Sequence, residues 1–254
     1  MTLVQNLDFY LVAIPAVLIV GIGKGGFAGG LGILAVPLMS LTVSPMQAAG
    51  IMLPILCVMD LTGVKMWIHK WDRGLMARLV PAALLGIAIG TFTFQFVSDT
   101  FLKLLLGVLA LLFTLNHWLR GRTPRKPILR DPYSVTLWSG LSGYTSFVAH
   151  AGGPPLMIYL LPKGLDKSVL VGTITIYFAI VNYAKLIPYA FLGELDAENL
   201  GTALVLAPVA VLGVKLGIWL HDKVDAQLFS RLMYLFLFLT GLKLTWDGCV
   251  AVLA

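Results

Sequence analysis

Five polar residues stand out because each lies inside or beside a long apolar run: Lys24, Asp60, His150, Asn182 and Lys185. A charge at the centre of a membrane helix costs about 2.5–3.5 kcal/mol on insertion scales. Lys24, in Gly23-Lys24-Gly25-Gly26, therefore needs a partner, a cavity or an anion, unless its stem carries the ammonium to the interface. His150 opens a second break, His150-Ala151-Gly152-Gly153-Pro154-Pro155. An imidazole there could titrate near neutral pH and relay protons, or serve only as a hydrogen-bonded packing residue. Asp60 falls near the middle of its run and could carry a proton. It could equally bridge two helices through Lys185 or Lys65. Lys185 lies one helical turn from Asn182 and could serve a substrate or that bridge.

The glycines beside these residues admit two readings. Small residues let helix backbones approach closely in lipid. Alternatively, Gly25, Gly26, Gly29, Gly30, Gly152 and Gly153 break a helix at mid-depth and present freed backbone N–H groups to an anion at a helix start. Irregular backbone at that depth survives only where it is buried or lines a cavity. Both readings can hold, for different glycines. The candidate substrate-binding set is thus these six glycines with Lys24, His150, Asn182 and Lys185; the candidate proton-coupling residues are Asp60 and His150.

The elements that must position these residues are membrane helices. Of the 254 residues, 59% are hydrophobic and 12% charged, about half the charge of an ordinary soluble domain. The mean hydropathy is +0.92. The net charge of +6 sits in short gaps between apolar runs, which is loop-directed orientation rather than a nucleic-acid surface. Runs near 45–69, 75–97, 101–119, 167–190, 198–220 and 226–246 each fit one span. They are continuous rather than alternating, which excludes a β-barrel. Stretches 8–41 and 133–161 are too long for one span and short for two. Taken as broken hairpins of two short helices, they bring the count from eight to about ten segments. The basic loops then share one side, expected to be cytoplasmic, and the acidic loop Glu194-Leu195-Asp196-Ala197-Glu198 faces the other.

The two halves share features in the same order. Pro37-Leu38-Met39 recurs as Pro155-Leu156-Met157, and Asp60 with Trp67 aligns with Asn182 and Tyr189. Pro81, Gly86, Gly90 and Val97 recur as Pro208, Gly213, Gly217 and Val224. An odd number of segments per half inverts the second half. The expected fold is therefore an all-α integral membrane protein of two inverted repeats, 1–119 and 133–254, joined by a basic cytoplasmic linker, 120–132. Trp67, Trp71, Tyr189 and Trp246, near span ends, read as an interfacial aromatic belt. Cys57 and Cys249 read as small buried residues, with no disulfide framework or metal site. The N-terminus lacks the basic region of a cleaved signal peptide.

The run from Gly23 to Leu38, with Ser44-Pro45, Gln47-Ala48-Ala49-Gly50 and Leu53-Pro54, resembles the first glycine-rich signature of the sulfite exporter TauE/SafE family. His150 to Pro155, Tyr159-Leu160-Leu161-Pro162 and Asn182 to Tyr189 are similar to the family's matching region. The resemblance spans nearly the whole chain. It implies proton-coupled secondary transport of sulfite, sulfonates or related organic anions across a cell inner or plasma membrane. The expected partners are that small anion, protons and the bilayer, with no nucleic acid and no cofactor. The oligomeric state is not legible. No nucleophilic triad, Walker loop or metal-ligand spacing points to an enzyme; Gly21-Ile22-Gly23-Lys24-Gly25-Gly26 matches G-x-G-x-x-G without the strand that motif requires. An uncoupled anion channel and a non-transporting membrane scaffold remain as the other two readings.

Overall fold

A computed structural model describes residues 3–26, 32–94, 96, 98–120, 131–220, 223 and 226–253. Among these residues every regular element is helical. The helices are α1 (Leu7–Gly26), α2 (Ala35–Met39), α3 (Pro45–Trp67), α4 (Arg73–Phe94), α5 (Asp99–Arg120), α6 (Asp131–Ala149), α7 (Gly153–Leu160), α8 (Lys167–Phe191), α9 (Ala197–Leu220) and α10 (Ala226–Leu253). A 3-10 turn, Gly32–Leu34, leads into α2, and another, Leu161–Lys163, follows α7.

Six of them are long and apolar enough to cross a membrane: α1, α3, α4, most of α5, α8 and α9. The last apolar run, 226–246, forms most of α10. Ser134, Thr136, Ser139, Ser142, Thr145 and Ser146 make α6 the more polar helix. The second odd stretch is interrupted where expected, between Ala149 and Gly153; in the first, Gly23–Gly26 do not break the helix but form the last turn of α1, and residues 27–31 lie outside the described ones. The arms of both stretches are unequal. α1 and α6 have 20 and 19 residues, close to the 20 that span a bilayer. The return arms, α2 and α7, have five and eight. The expectation of two short helices per hairpin is corrected on this point. The runs N-terminal to each break hold no further breaker strong enough to divide them; Pro15 is accommodated inside α1, as prolines are within packed membrane helices.

α1 packs on α9, α4 on α6, α3 on α8 and on α9, and α5 on α10; α2 packs on α1 and α7 on α6. Exchanging the halves, α1 for α6 and α4 for α9, maps the α1–α9 contact onto the α6–α4 contact. Glycines permit both. A Cβ at Gly25 would lie 2.2 Å from the Val214 carbonyl oxygen, and one at Gly86 would lie 2.0 Å from that of Gly140. Gly86 and Gly213, alike in the sequence halves, thus sit in equivalent close crossings, since Gly213 lies against Gly21.

Apolar side chains cover the outside: Leu11, Leu85, Phe92, Phe191, Leu204 and Trp246 are all exposed. Asp60, His150, Asn182 and Lys185 are buried within. That distribution suits a lipid surround, where an exposed leucine loses nothing and a polar group needs protein partners. Gly29, Gly30, Val97, Val224 and linker positions 121–130 lie outside the described residues.

Candidate functional site

The first half of the site is built by α1, α3 and α8. Lys24 occupies the last turn of α1, where the helix dipole favours a cation. Its Nζ donates to Asp60 Oδ1 in a close ion pair. The other carboxylate oxygen of Asp60 accepts from Asn182 Nδ2 at 2.7 Å. The Asp60 side chain is fully buried and that of Lys24 is 11% exposed. A buried pair of this kind holds only if the remaining lone pairs are satisfied, and the Asn182 amide meets that condition for Asp60. Asp60 and Asn182 are 122 positions apart, the offset that also separates Trp67 from Tyr189. Beside the pair is a recess of about 10 Å³ lined by Lys24, Asp60, Gly63, Thr175 and Phe178 among others, room for about one water. A shallow groove of about 440 Å³, lined by Asp60, Leu61, Val64, Ile180 and Tyr183 among others, opens on the other side.

The second half lies at the end of α6. His150 adopts a left-handed backbone conformation, φ 50°, which ends the helix. The amide N–H of Ala151 turns back to the Thr145 carbonyl at 3.1 Å. α6 hydroxyls donate to carbonyls across the break: Ser142 Oγ to that of Gly152 at 2.7 Å, beside the Leu156 amide, and Thr145 Oγ1 to that of Ala151 at 3.2 Å. His150 Nε2 is 3.0 Å from the Ala49 carbonyl oxygen on α3. Lys185 Nζ, on α8, is 2.7 Å from His150 Nδ1, 2.9 Å from the Ser146 carbonyl oxygen and 3.1 Å from Ser146 Oγ. Tyr189 donates its hydroxyl to the Phe147 carbonyl at 2.6 Å.

The candidate residues therefore fall into two clusters, one at the last turn of α1 and one at the break after α6, linked by one turn of α8 between Asn182 and Lys185. Asp60 takes Lys24 as its ion-pair partner instead of Lys65 or Lys185, and Lys24 points inward instead of snorkelling. Gly25 lies against α9, and Gly152 packs against Ser142, Ser146 and Phe178; Gly26 and Gly153 are buried at the helix ends beside the breaks. Ser142, Thr145 and Ser146 escaped the sequence reading, although a Ser/Thr-rich helix leading into a break was the available signal. The belt reading is corrected for Trp67 and Tyr189, which are buried. The Tyr189 ring packs on Phe147 and Phe94, because its face of α8 turns inward. Cys57 is buried as expected, whereas Cys249 is exposed on α10.

Interrupted helices around a buried, charge-bearing core define a polytopic membrane protein whose polar groups serve its interior. The chain belongs to the sulfite exporter TauE/SafE family, whose model, described as "Sulfite exporter TauE/SafE", matches residues 13–244. That family is one of membrane transporters of sulfite and related anions, not of enzymes. No curated protein and no solved structure matches the chain.

Proposed function

We propose that this chain is a secondary transporter that moves a small sulfur-containing or organic anion together with a proton, and that anion and proton meet at the Lys24–Asp60 pair. The observation that carries this reading is the ion pair itself: the cation in the last turn of α1 is held by a buried carboxylate on a neighbouring helix. An anion gains the Lys24 ammonium only when Asp60 releases it. A proton on Asp60 removes the competing charge, and Asn182 keeps a hydrogen-bond partner in the neutral acid by presenting its amide oxygen. Proton and anion then share one site, so they travel in the same direction. Gly153, at the start of α7, would offer its backbone to the anion's oxygens; Gly29 and Gly30 stay candidates outside the described residues, while Gly25 and Gly152 set the helix approach.

The exchange of contacts between halves supports two inverted repeats, 1–119 and 133–254, rocking about the site. The positive-inside rule supports a cytoplasmic linker and basic loops in an inner or plasma membrane. The test is flux into proteoliposomes with the outside made acid, using methanesulfonate beside sulfite because a sulfonate stays ionised and does not cross lipid as a neutral acid. Accumulation above equilibrium supports coupled transport. Downhill flux alone would assign a channel, and no flux of any anion offered would assign a scaffold.

A further inference from the structure

We propose that Lys185, His150 and Ser146 form a proton-binding site separate from the Lys24–Asp60 pair. The inference rests on the transport reading only for its place in the cycle; the site itself rests on hydrogen-bond geometry. The Ala49 carbonyl oxygen can only accept, so His150 Nε2 carries the ring hydrogen and Nδ1 of the neutral ring is an acceptor. Lys185 Nζ thus faces three atoms able to accept: Nδ1, the Ser146 carbonyl oxygen and Ser146 Oγ. As an ammonium, Nζ donates to all three. As a neutral amine, it donates to Nδ1 and to the carbonyl, and its lone pair accepts from the Ser146 hydroxyl. The heavy atoms stay in place; only the hydroxyl hydrogen turns over. The cluster is therefore fully hydrogen-bonded with or without one proton, and the only bond made or broken is a single N–H at Nζ.

Asp60 lacks this property where it stands. Each of its oxygens accepts from one donor, Lys24 Nζ or Asn182 Nδ2, and a proton taken on a remaining lone pair would cancel the charge that holds the Lys24 ammonium. Protonation of Asp60 is thereby tied to movement, whereas the Lys185 cluster takes a proton at rest. Lys185 is fully buried, and its three partners are uncharged. The charged or titratable groups acting on it from other elements are Cys57 and Asp60 of α3 and Lys24 of α1. The cluster lies one turn of α8 from Asn182, the partner of Asp60. It is placed to hold a proton that Asp60 takes up when the Lys24 pair opens.

The test is NMR of the full chain in lipid nanodiscs with ¹³Cε/¹⁵Nζ-labelled lysine. One lysine signal is expected to pass between ammonium and amine within the pH range over which the protein stays folded. That signal is absent from K185M and is displaced in S146A, which assigns it even where K185M does not fold. A chain in which no lysine leaves the ammonium form over that range overturns the proposal. So does a titrating signal that S146A leaves unmoved. Failure of the transport reading is separate: if Lys185 titrates while wild-type protein does not accumulate methanesulfonate under a proton gradient, the proton site stands and coupled transport falls.

Discussion

Replacing either member of the Lys24–Asp60 pair strands the other in the core. In D60N the Lys24 ammonium, with its side chain 11% exposed, loses its counter-charge. In K24M the fully buried Asp60 carboxylate keeps only the Asn182 amide. Breaking a buried pair from one side costs about 3–5 kcal/mol. At roughly 2–4 °C per kcal/mol for a chain of this size, each single variant is expected to melt about 6–20 °C below wild type. The double variant K24M/D60N carries no stranded charge, so its loss is expected to be smaller than the sum of the singles by about 2 kcal/mol or more. Thermal unfolding of the four proteins in one detergent gives all the values, with a chemical denaturation series where melting is irreversible. Single losses within about 2 °C of wild type, or a double variant whose loss is the sum of the singles, would refute the pairing of these two charges as a structural and functional unit.

Three further outcomes follow from the packing and the loops. G25A places a methyl group where the Val214 carbonyl oxygen stands 2.2 Å away; α1 and α9 separate, at about 1–3 kcal/mol by denaturation, and Lys24 is drawn from Asp60, lowering methanesulfonate flux. S142A removes the hydroxyl donor of the buried Gly152 carbonyl, which keeps the Leu156 amide, a loss of about 0.5–1.5 kcal/mol read in the same assay. Burial, with Asp196 and Asp99 nearby, raises the Glu194 carboxyl above its ordinary value. The folded protein then holds that proton more tightly than the unfolded chain, so stability falls as pH rises from the ordinary carboxyl value to the raised one. E194Q is expected to be more stable than wild type at pH 7 and equal to it near pH 4, as thermal melts at the two pH values would show.

The apolar helices and the break at His150 were legible because hydropathy runs and Gly/Pro clusters act locally; Gly23–Gly26 misled because glycines that let α1 approach α9 look the same in sequence as glycines that break a helix. Asp60, Asn182, Lys185 and His150 were legible as candidates because a polar group in an apolar run is conspicuous. Their pairing was not. Whether Lys24, Lys65 or Lys185 meets Asp60 depends on how α1 leans on α9, and that is decided by Gly21 and Gly25 against Gly213 and Gly217. Spacing along one helix carries no such information. The roles of Ser142 and Ser146 were hidden for a related reason: a hydroxyl that caps a break and one that merely bonds its own helix look alike in sequence. Tyr189 shows the same limit from the other side, since nearness to a span end gives depth but not which way a ring turns.

The most direct measurement is uptake of labelled methanesulfonate into proteoliposomes with the outside acid, comparing wild type with K24Q. Wild type is expected to accumulate the anion above its equilibrium level and to lose that accumulation when the proton gradient is collapsed, and K24Q not to accumulate it at all. K24Q accumulation equal to that of wild type would contradict this expectation.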